Sequence, residues 1–348
     1  MPASFALALH ASYGCRDSGA CCTAGWPIPI EPANLARAEQ AAHSGRLRSP
    51  AGATPLFERP PHAPDEAPAL VAVHQGACVF YRRDGAARCA LHRALGHAAL
   101  PLACRQFPRV SVQDPRGTSI TLSHYCPTAA SLLEADGGLR IEEDPPAFPA
   151  GGEYVGLDVR QALPPLLRPD MLMDWNAWWQ WERESIALID AASSSHEALA
   201  RLHDAVEHVR TWRPSDGALG DRVTTAFARA RLVAPRSDAP ADADALVAAV
   251  VDAIPAELRD TRSMALRAVA VEADTRRRFL AAHAFANWTA HLGQGLRTWL
   301  RSLEAADVLL RRGLAVRDVD LWIRHLADPN VLAARLAPVE GASGPLDR

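Results

Sequence analysis

The chain has 348 residues, 49 % hydrophobic and 22 % charged, with a formal net charge of −3. That composition excludes collagen-like, fibrous and disordered classes, and the near-neutral balance provides no electrostatic footprint for nucleic acid or a charged membrane surface. The length predicts about two domains, each able to bury a core without a metal or disulfide to help it fold.

Taken in chain order, the first apolar run, residues 5–9, is too short for a secretory segment and has no basic residue before it. Later Ala/Leu stretches are broken by Arg, Asp or Glu, so no membrane span is expected. All 37 basic residues are Arg, which reads as coding bias without functional weight. The expected location is the cytoplasm, where thiols stay reduced and clustered cysteines serve as metal ligands or reactive groups rather than disulfides. A short helix is predicted over 34–43, following Pro32. Residues 44–68 carry Pro50, Pro55, Pro60, Pro61, Pro64 and Pro68, a spacing that forbids helix and central strand and predicts a long loop. Short strands are predicted at 70–73 and 120–122. Two Gly-Gly pairs and three prolines between 137 and 152 mark a domain boundary.

Beyond that boundary the pattern is helical. A first long helix is predicted over 170–190, after Pro169, and a second from Ser194, where Ser194 and Glu197 make an S-x-x-E capping pattern. Apolar stripes recur at Leu199, Leu202, Val206 and Val209; at Leu246, Val247, Val250, Val251 and Ile254; at Leu292, Leu296, Trp299 and Leu303; and at Val319, Trp322, Ile323 and Leu326. The fold class expected is mainly α. It comprises an irregular cysteine-rich metal-binding domain (1–140) with a few short strands, followed by an α-helical bundle domain (151–340).

All seven cysteines, Cys15, Cys21, Cys22, Cys78, Cys89, Cys104 and Cys126, fall in the first 126 residues. Seven soft donors in a cytosolic domain suit zinc or an iron–sulfur cluster; the competing reading makes them small buried hydrophobes. Read as lying on turns and extended backbone, Cys21 and Cys22 point to opposite sides and do not share one small ion. His92, three residues after Cys89, is a further candidate ligand. His97 and His124 are expected to be solvated or hydrogen-bonded loop histidines.

Five ordered segments carry a family resemblance: Gly19-Ala-Cys21-Cys22 with Gly25-Trp26-Pro-Ile-Pro-Ile, Cys78-Val-Phe, Cys89-Ala-Leu-His-Arg, Pro101-Leu-Ala-Cys104-Arg-Gln-Phe-Pro-Arg109, and Ser123-His-Tyr-Cys126-Pro127. Over residues 10–135 the chain resembles the bacterial cysteine-cluster family described as zinc- or iron-chelating, nearest its flagellin lysine-N-methylase branch. The resemblance implies a bound metal centre, a 4Fe-4S cluster or zinc, and a protein-modifying activity that uses S-adenosylmethionine on a protein substrate. The family pattern CxxCxxCC departs here at position 18, where Ser18 replaces a cysteine; a hydroxyl is a poor substitute for thiolate at such sites.

Arg105 and Arg109 flank Phe107-Pro108 beside Cys104 and are candidates for holding a carboxylate or offsetting thiolate charge. Trp26 is a candidate shield of the metal from water, with plain core as its other reading. The group Trp175, Trp178, Trp179 and Trp181 reads as a packing face, and Gly293-x-Gly295 lies in a helical pattern without a preceding strand, so it is no phosphate loop. Three function classes follow: a metal-dependent methylase-like enzyme, a non-catalytic metal-handling or redox-sensing protein, and a protein whose zinc staples the N-terminal half.

Overall fold

The computed structural model describes all residues except 1, 25, 51, 53, 60–63, 65–66, 84–88, 136–137, 235–241, 255–269 and 328–348. Gly25, Pro60, Pro61, Gly137 and the last part of the expected helical domain lie outside the described residues. In chain order the elements are β1 (Ala3–Leu7), α1 (Ala20–Thr23), β2 (Pro29–Ile30), α2 (Pro32–His43), β3 (Phe57–Glu58), β4 (Ala69–Val71), β5 (Val73–His74) and β6 (Ala77–Cys78). There follow α3 (Ala90–Leu95), α4 (Leu102–Gln106), β7 (Arg109–Asp114), β8 (Gly117–Leu122), α5 (Pro127–Ser131), β9 (Ile141–Glu143), β10 (Leu157–Asp158), β11 (Leu166–Arg168) and β12 (Met171–Leu172). The rest is helical: α6 (Trp175–Ala191), α7 (Ser195–Arg210), α8 (Leu219–Ala230), α9 (Ala243–Ala253), α10 (Ala273–Ala284), α11 (Trp288–Leu292), α12 (Leu296–Arg311) and α13 (Val316–His325). The N-terminal region is thus mixed α/β with sheets, where the sequence predicted irregular backbone with a few short strands, and the C-terminal region is helical as expected.

Two compact units interleave in sequence. The first takes Met1–Tyr13, Val110–His124 and Ala129–Arg348. Its five-stranded sheet runs β10-β7-β8-β1-β9, with β1 and β8 parallel from Ala3↔Gly117 to Ala6↔Ile120 and β9 antiparallel to β1. The described residues 138–152 of the stretch where the sequence predicted a boundary fall within this unit: β9 lies in it, and β10, which follows it, joins the same sheet. Strand β8 is buried on both faces: Ile120 and Leu122 are inaccessible, and so are Ser119 and Thr121. The polar face finds partners, since Thr121 Oγ1 donates to Ala282 O of α10 at 2.8 Å, as burial of hydroxyls requires.

The helical core of this unit gathers Trp178, Trp181, Phe227 and Trp299; Trp181 packs 4.9 Å from Phe227 and 5.6 Å from Trp299 between ring centroids. Burying each such ring stabilises the fold by about 1.5–3 kcal/mol. The tryptophan group is therefore a packing face, with Trp179 Nε1 also donating to Asp114 Oδ2 at 3.0 Å. Two predicted helices are shorter than their patterns. Met171–Leu172 pairs with Leu166–Arg168 in a hairpin, so α6 begins only after Asp174, whose carboxylate accepts from Ala177 N at 2.8 Å. The 292–303 stripe splits at Gly293–Gly295 into α11 and α12.

The second unit comprises Gly14–Arg109 and Tyr125–Thr128. Its sheet runs β2-β4-β3, and β5 and β6 form a separate hairpin ending on Cys78. The described part of the proline-rich stretch contributes only the edge strand β3, the one sheet position proline-rich backbone tolerates. Ile28, Ile30, Leu47, Val71, Phe80, Leu91 and the side chains of Cys22 and Cys78 form its core.

Candidate functional site

All seven cysteines belong to the second unit, as free thiols. Several sit on short regular elements rather than turns. Cys21 and Cys22 lie in α1, Cys104 in α4, Cys78 ends β6, and Cys89 is the N-cap of α3, where its sulfur accepts from His92 N at 3.5 Å. Helical backbone at α1 turns the vicinal pair to the same side, with the sulfurs 4.0 Å apart, so the opposite-facing geometry predicted from extended backbone does not hold.

Cys22 and Cys78 sit in one core, against which Cys21, Cys89 and Cys104 pack. The Cys22 thiol, 4.0 Å from that of Cys21, is pushed far up by its thiol neighbours, while they lower Cys21 and take Cys89 down to about 7. Cys104 is pushed up by burial and by the charges of Cys21, Cys78 and Cys89; Cys15, exposed, is pushed up by partial desolvation, with Cys21 and Cys126 adding to it. The thiols share one electrostatic neighbourhood but form no closed shell: among the described residues, no three sulfurs lie within 4.8 Å of one another.

The other predicted site residues have local partners. His92 Nδ1 is 3.7 Å from Asp17 Oδ1, and its ring stands 6.0 Å from that of His97. Arg105 Nη1 donates to Leu100 O at 3.0 Å, and Arg109 Nη1 donates to Arg105 O at 3.0 Å. Trp26 packs 5.3 Å from Phe107 and 6.1 Å from Tyr125, and it lies against the same core as Cys22 and Cys78.

A second group of donors, in the first unit, was not foreseen as a group. His124, expected to be a loop histidine, is fully buried. Its Nδ1 stands 3.3 Å from Asp320 Oδ1 and its Nε2 stands 3.2 Å from His10 Nε2. His283 Nε2 lies 3.0 Å from the same Asp320 Oδ1, Ser123 Oγ donates to Oδ2 at 2.6 Å, and Arg324 Nε donates to both carboxylate oxygens at 3.1 Å. Burial pushes Asp320 up, but Arg324 and the two imidazoles outweigh it and hold the carboxyl well below its usual range. Burial also lowers His10 and His124, and takes His283 to about 4. The interior thus holds three neutral imidazoles around one ionised carboxylate.

The sequence carried one signal for this group. Asp320 interrupts the apolar stripe Val319, Trp322, Ile323 and Leu326, and a carboxylate inside such a stripe must find buried partners. Which partners it would find was invisible, since they stand at positions 10, 123, 124 and 283. Comparison of the chain with protein-family models, with curated proteins and with solved structures finds no match.

Proposed function

We propose that the protein is a metal-binding protein whose centre, an iron–sulfur cluster or, as the alternative, a zinc ion, is held by thiolates drawn from Cys21, Cys22, Cys78 and Cys89, with Cys104 as neighbour. The observation that supports this reading is that Cys22 and Cys78 lie in one core against which Cys21, Cys89 and Cys104 pack, with the Cys21 and Cys22 sulfurs 4.0 Å apart. The donor set is thus the one a thiophilic centre takes.

Four thiolates on one tetrahedral zinc, with bonds of about 2.3 Å, stand about 3.8 Å apart, close to the 4.0 Å between Cys21 and Cys22, whereas in a cubane each thiolate binds its own iron and the sulfurs stand wider, so that a cluster takes one thiol of this pair. Ser18, in place of the family's cysteine, leaves Cys22 and the distant Cys78 and Cys89 to supply the set. The methyl transfer from S-adenosylmethionine to a protein lysine rests on the family resemblance alone, and non-catalytic metal handling or redox sensing is its alternative.

The test is anaerobic purification with iron, acid-labile sulfide and zinc analysis. The expected result is a brown protein with stoichiometric iron and sulfide, lost in Cys22→Ser. Stoichiometric zinc in a colourless protein would replace the cluster with a single ion. A metal-free protein with seven titratable thiols would overturn the proposal. Calorimetric titration of the loaded protein with S-adenosylmethionine then separates enzyme from binding module, and absence of heat counts against methyl transfer.

A further inference from the structure

The buried group in the first unit is unfinished as a hydrogen-bond network. Asp320 Oδ1 faces three donors at once, His124 Nδ1 at 3.3 Å, His283 Nε2 at 3.0 Å and Arg324 Nε at 3.1 Å, although a carboxylate oxygen has lone pairs for about two. Three donors crowded on one oxygen indicate a missing member of the group.

We propose that His124 Nδ1, His283 Nε2 and Asp320 Oδ1 bind one divalent transition-metal cation, of the borderline class that takes imidazole and carboxylate together, with His10 backing His124 through its other ring nitrogen.

The distances fit. A tetrahedral site with bonds of about 2.0–2.1 Å has donor–donor edges of about 3.3–3.4 Å, close to the 3.3 Å and 3.0 Å separations found. Among the described residues this is the only group of three His, Cys, Asp or Glu donors whose ligand atoms all lie within 4.8 Å of one another. The cation takes the place of the two imidazole protons now crowded on Oδ1, which leaves Arg324 and Ser123 to hold the carboxylate from behind. Such outer contacts orient ligands, and a ligating imidazole ordinarily passes its second N–H to a neighbour, the place His10 Nε2 occupies. Arg324 already offsets the carboxylate, so a small anion at the open fourth position offsets one of the cation's two charges.

The fold supplies the donors from fixed places. β1 and β8 are parallel neighbours, so their carboxyl ends lie at one edge of the sheet, where ligands gather in open α/β sheets. His10 follows β1 in the turn Ala8–His10, His124 follows β8, His283 sits in the last turn of α10, and Asp320 lies in α13. This site shares no residue with the thiol group.

The test uses cobalt(II) as the probe on chelator-treated full-length protein. The expected result is one equivalent bound beyond any held by the thiols, with visible ligand-field bands that are separate from the near-ultraviolet thiolate-to-cobalt band of a cysteine site, together with paramagnetically shifted imidazole resonances. His283→Gln should abolish those ligand-field bands and leave any thiolate band in place. His10→Phe should weaken binding about 10–100-fold with the far-ultraviolet circular dichroism unchanged; equal affinity in that variant removes His10 from the site. Folded wild-type protein whose imidazole resonances stay unshifted at saturating cobalt overturns the proposal, whatever the variants do.

Discussion

Arg116 Nη2 lies 2.9 Å from Glu182 Oε2, and this pair fastens the turn between β7 and β8 to α6. Glu182 is nearly inaccessible, its other oxygen accepts from Ala286 N at 3.2 Å, and the guanidinium lies 4.5 Å from the Phe5 ring. Removing Glu182 leaves a largely buried guanidinium with only Ser119 Oγ at 2.8 Å and Asp114 Oδ2 at 3.7 Å on its Nη2, and it leaves Ala286 N without its acceptor. Glu182→Ala should therefore lower stability by about 3–5 kcal/mol, read as a drop in the urea midpoint at unchanged slope. The exposed pair Arg160–Asp158 is the control: Asp158→Asn should leave the midpoint where it is.

The start of α7 rests on Ser194, whose side chain accepts from Glu197 N at 3.1 Å. Glu197 does not return the favour to Ser194 as the S-x-x-E pattern predicts; it accepts from Ser193 N at 2.7 Å instead. Ser194→Ala should cost about 1 kcal/mol, and Ser194→Asp should restore most of it in thermal unfolding.

Two glycines in the helical region should respond oppositely to alanine. A Cβ at Gly293 would meet Thr289 O at 2.5 Å and Thr298 Cγ2 at 2.8 Å, both in fixed surroundings. At Gly220, inside α8, it would meet only the movable end of Gln180 at 3.0 Å. Gly293→Ala should lower the melting temperature by several degrees, since overpacking costs about 1–3 kcal/mol. Gly220→Ala should leave it unchanged or raise it, because alanine gains up to about 1 kcal/mol of helix propensity.

His291 contributes to the pH dependence, beside His283, His10 and His124. Burial alone takes its titration to about 4, and its ring stands 5.6 Å from that of Trp178, edge-on, and 6.3 Å from that of Trp175. The folded state binds fewer protons here than the unfolded chain does between pH 6.5 and 4, so stability falls as pH drops through that window. The loss is at most about 3 kcal/mol, from about 1.36 kcal/mol per unit. His291→Leu should flatten the slope of urea stability against pH over that range, while a parallel slope in the variant would show that other groups set it.

The helical half was legible because its signals are local. Apolar residues at steps of three and four announced α7, α9 and α13, and the ends moved only where a competitor stood nearby, as Asp174 did by capping α6 and Gly293 and Gly295 did by splitting one stripe. The five-stranded sheet was not legible, since β1 and β8 pair across more than a hundred residues, and β8, with both faces buried, lacks the apolar–polar alternation in exposure that marks a one-sided strand. The thiols could be identified by residue type, but their arrangement depended on α1 being helical, which four residues cannot announce. The buried imidazole and carboxylate group left the weakest trace, because Asp320 states a need without naming who meets it.

The parallel register of β1 with β8 has a further consequence. During synthesis the ribosome releases Ala3–Leu7 long before Gly117–Leu122 exist, and the whole Gly14–Arg109 segment emerges in between. The opening strand must wait without its neighbour, an interval in which its bare edge is open to mispairing, while the segment that separates the two can fold first and shorten the search.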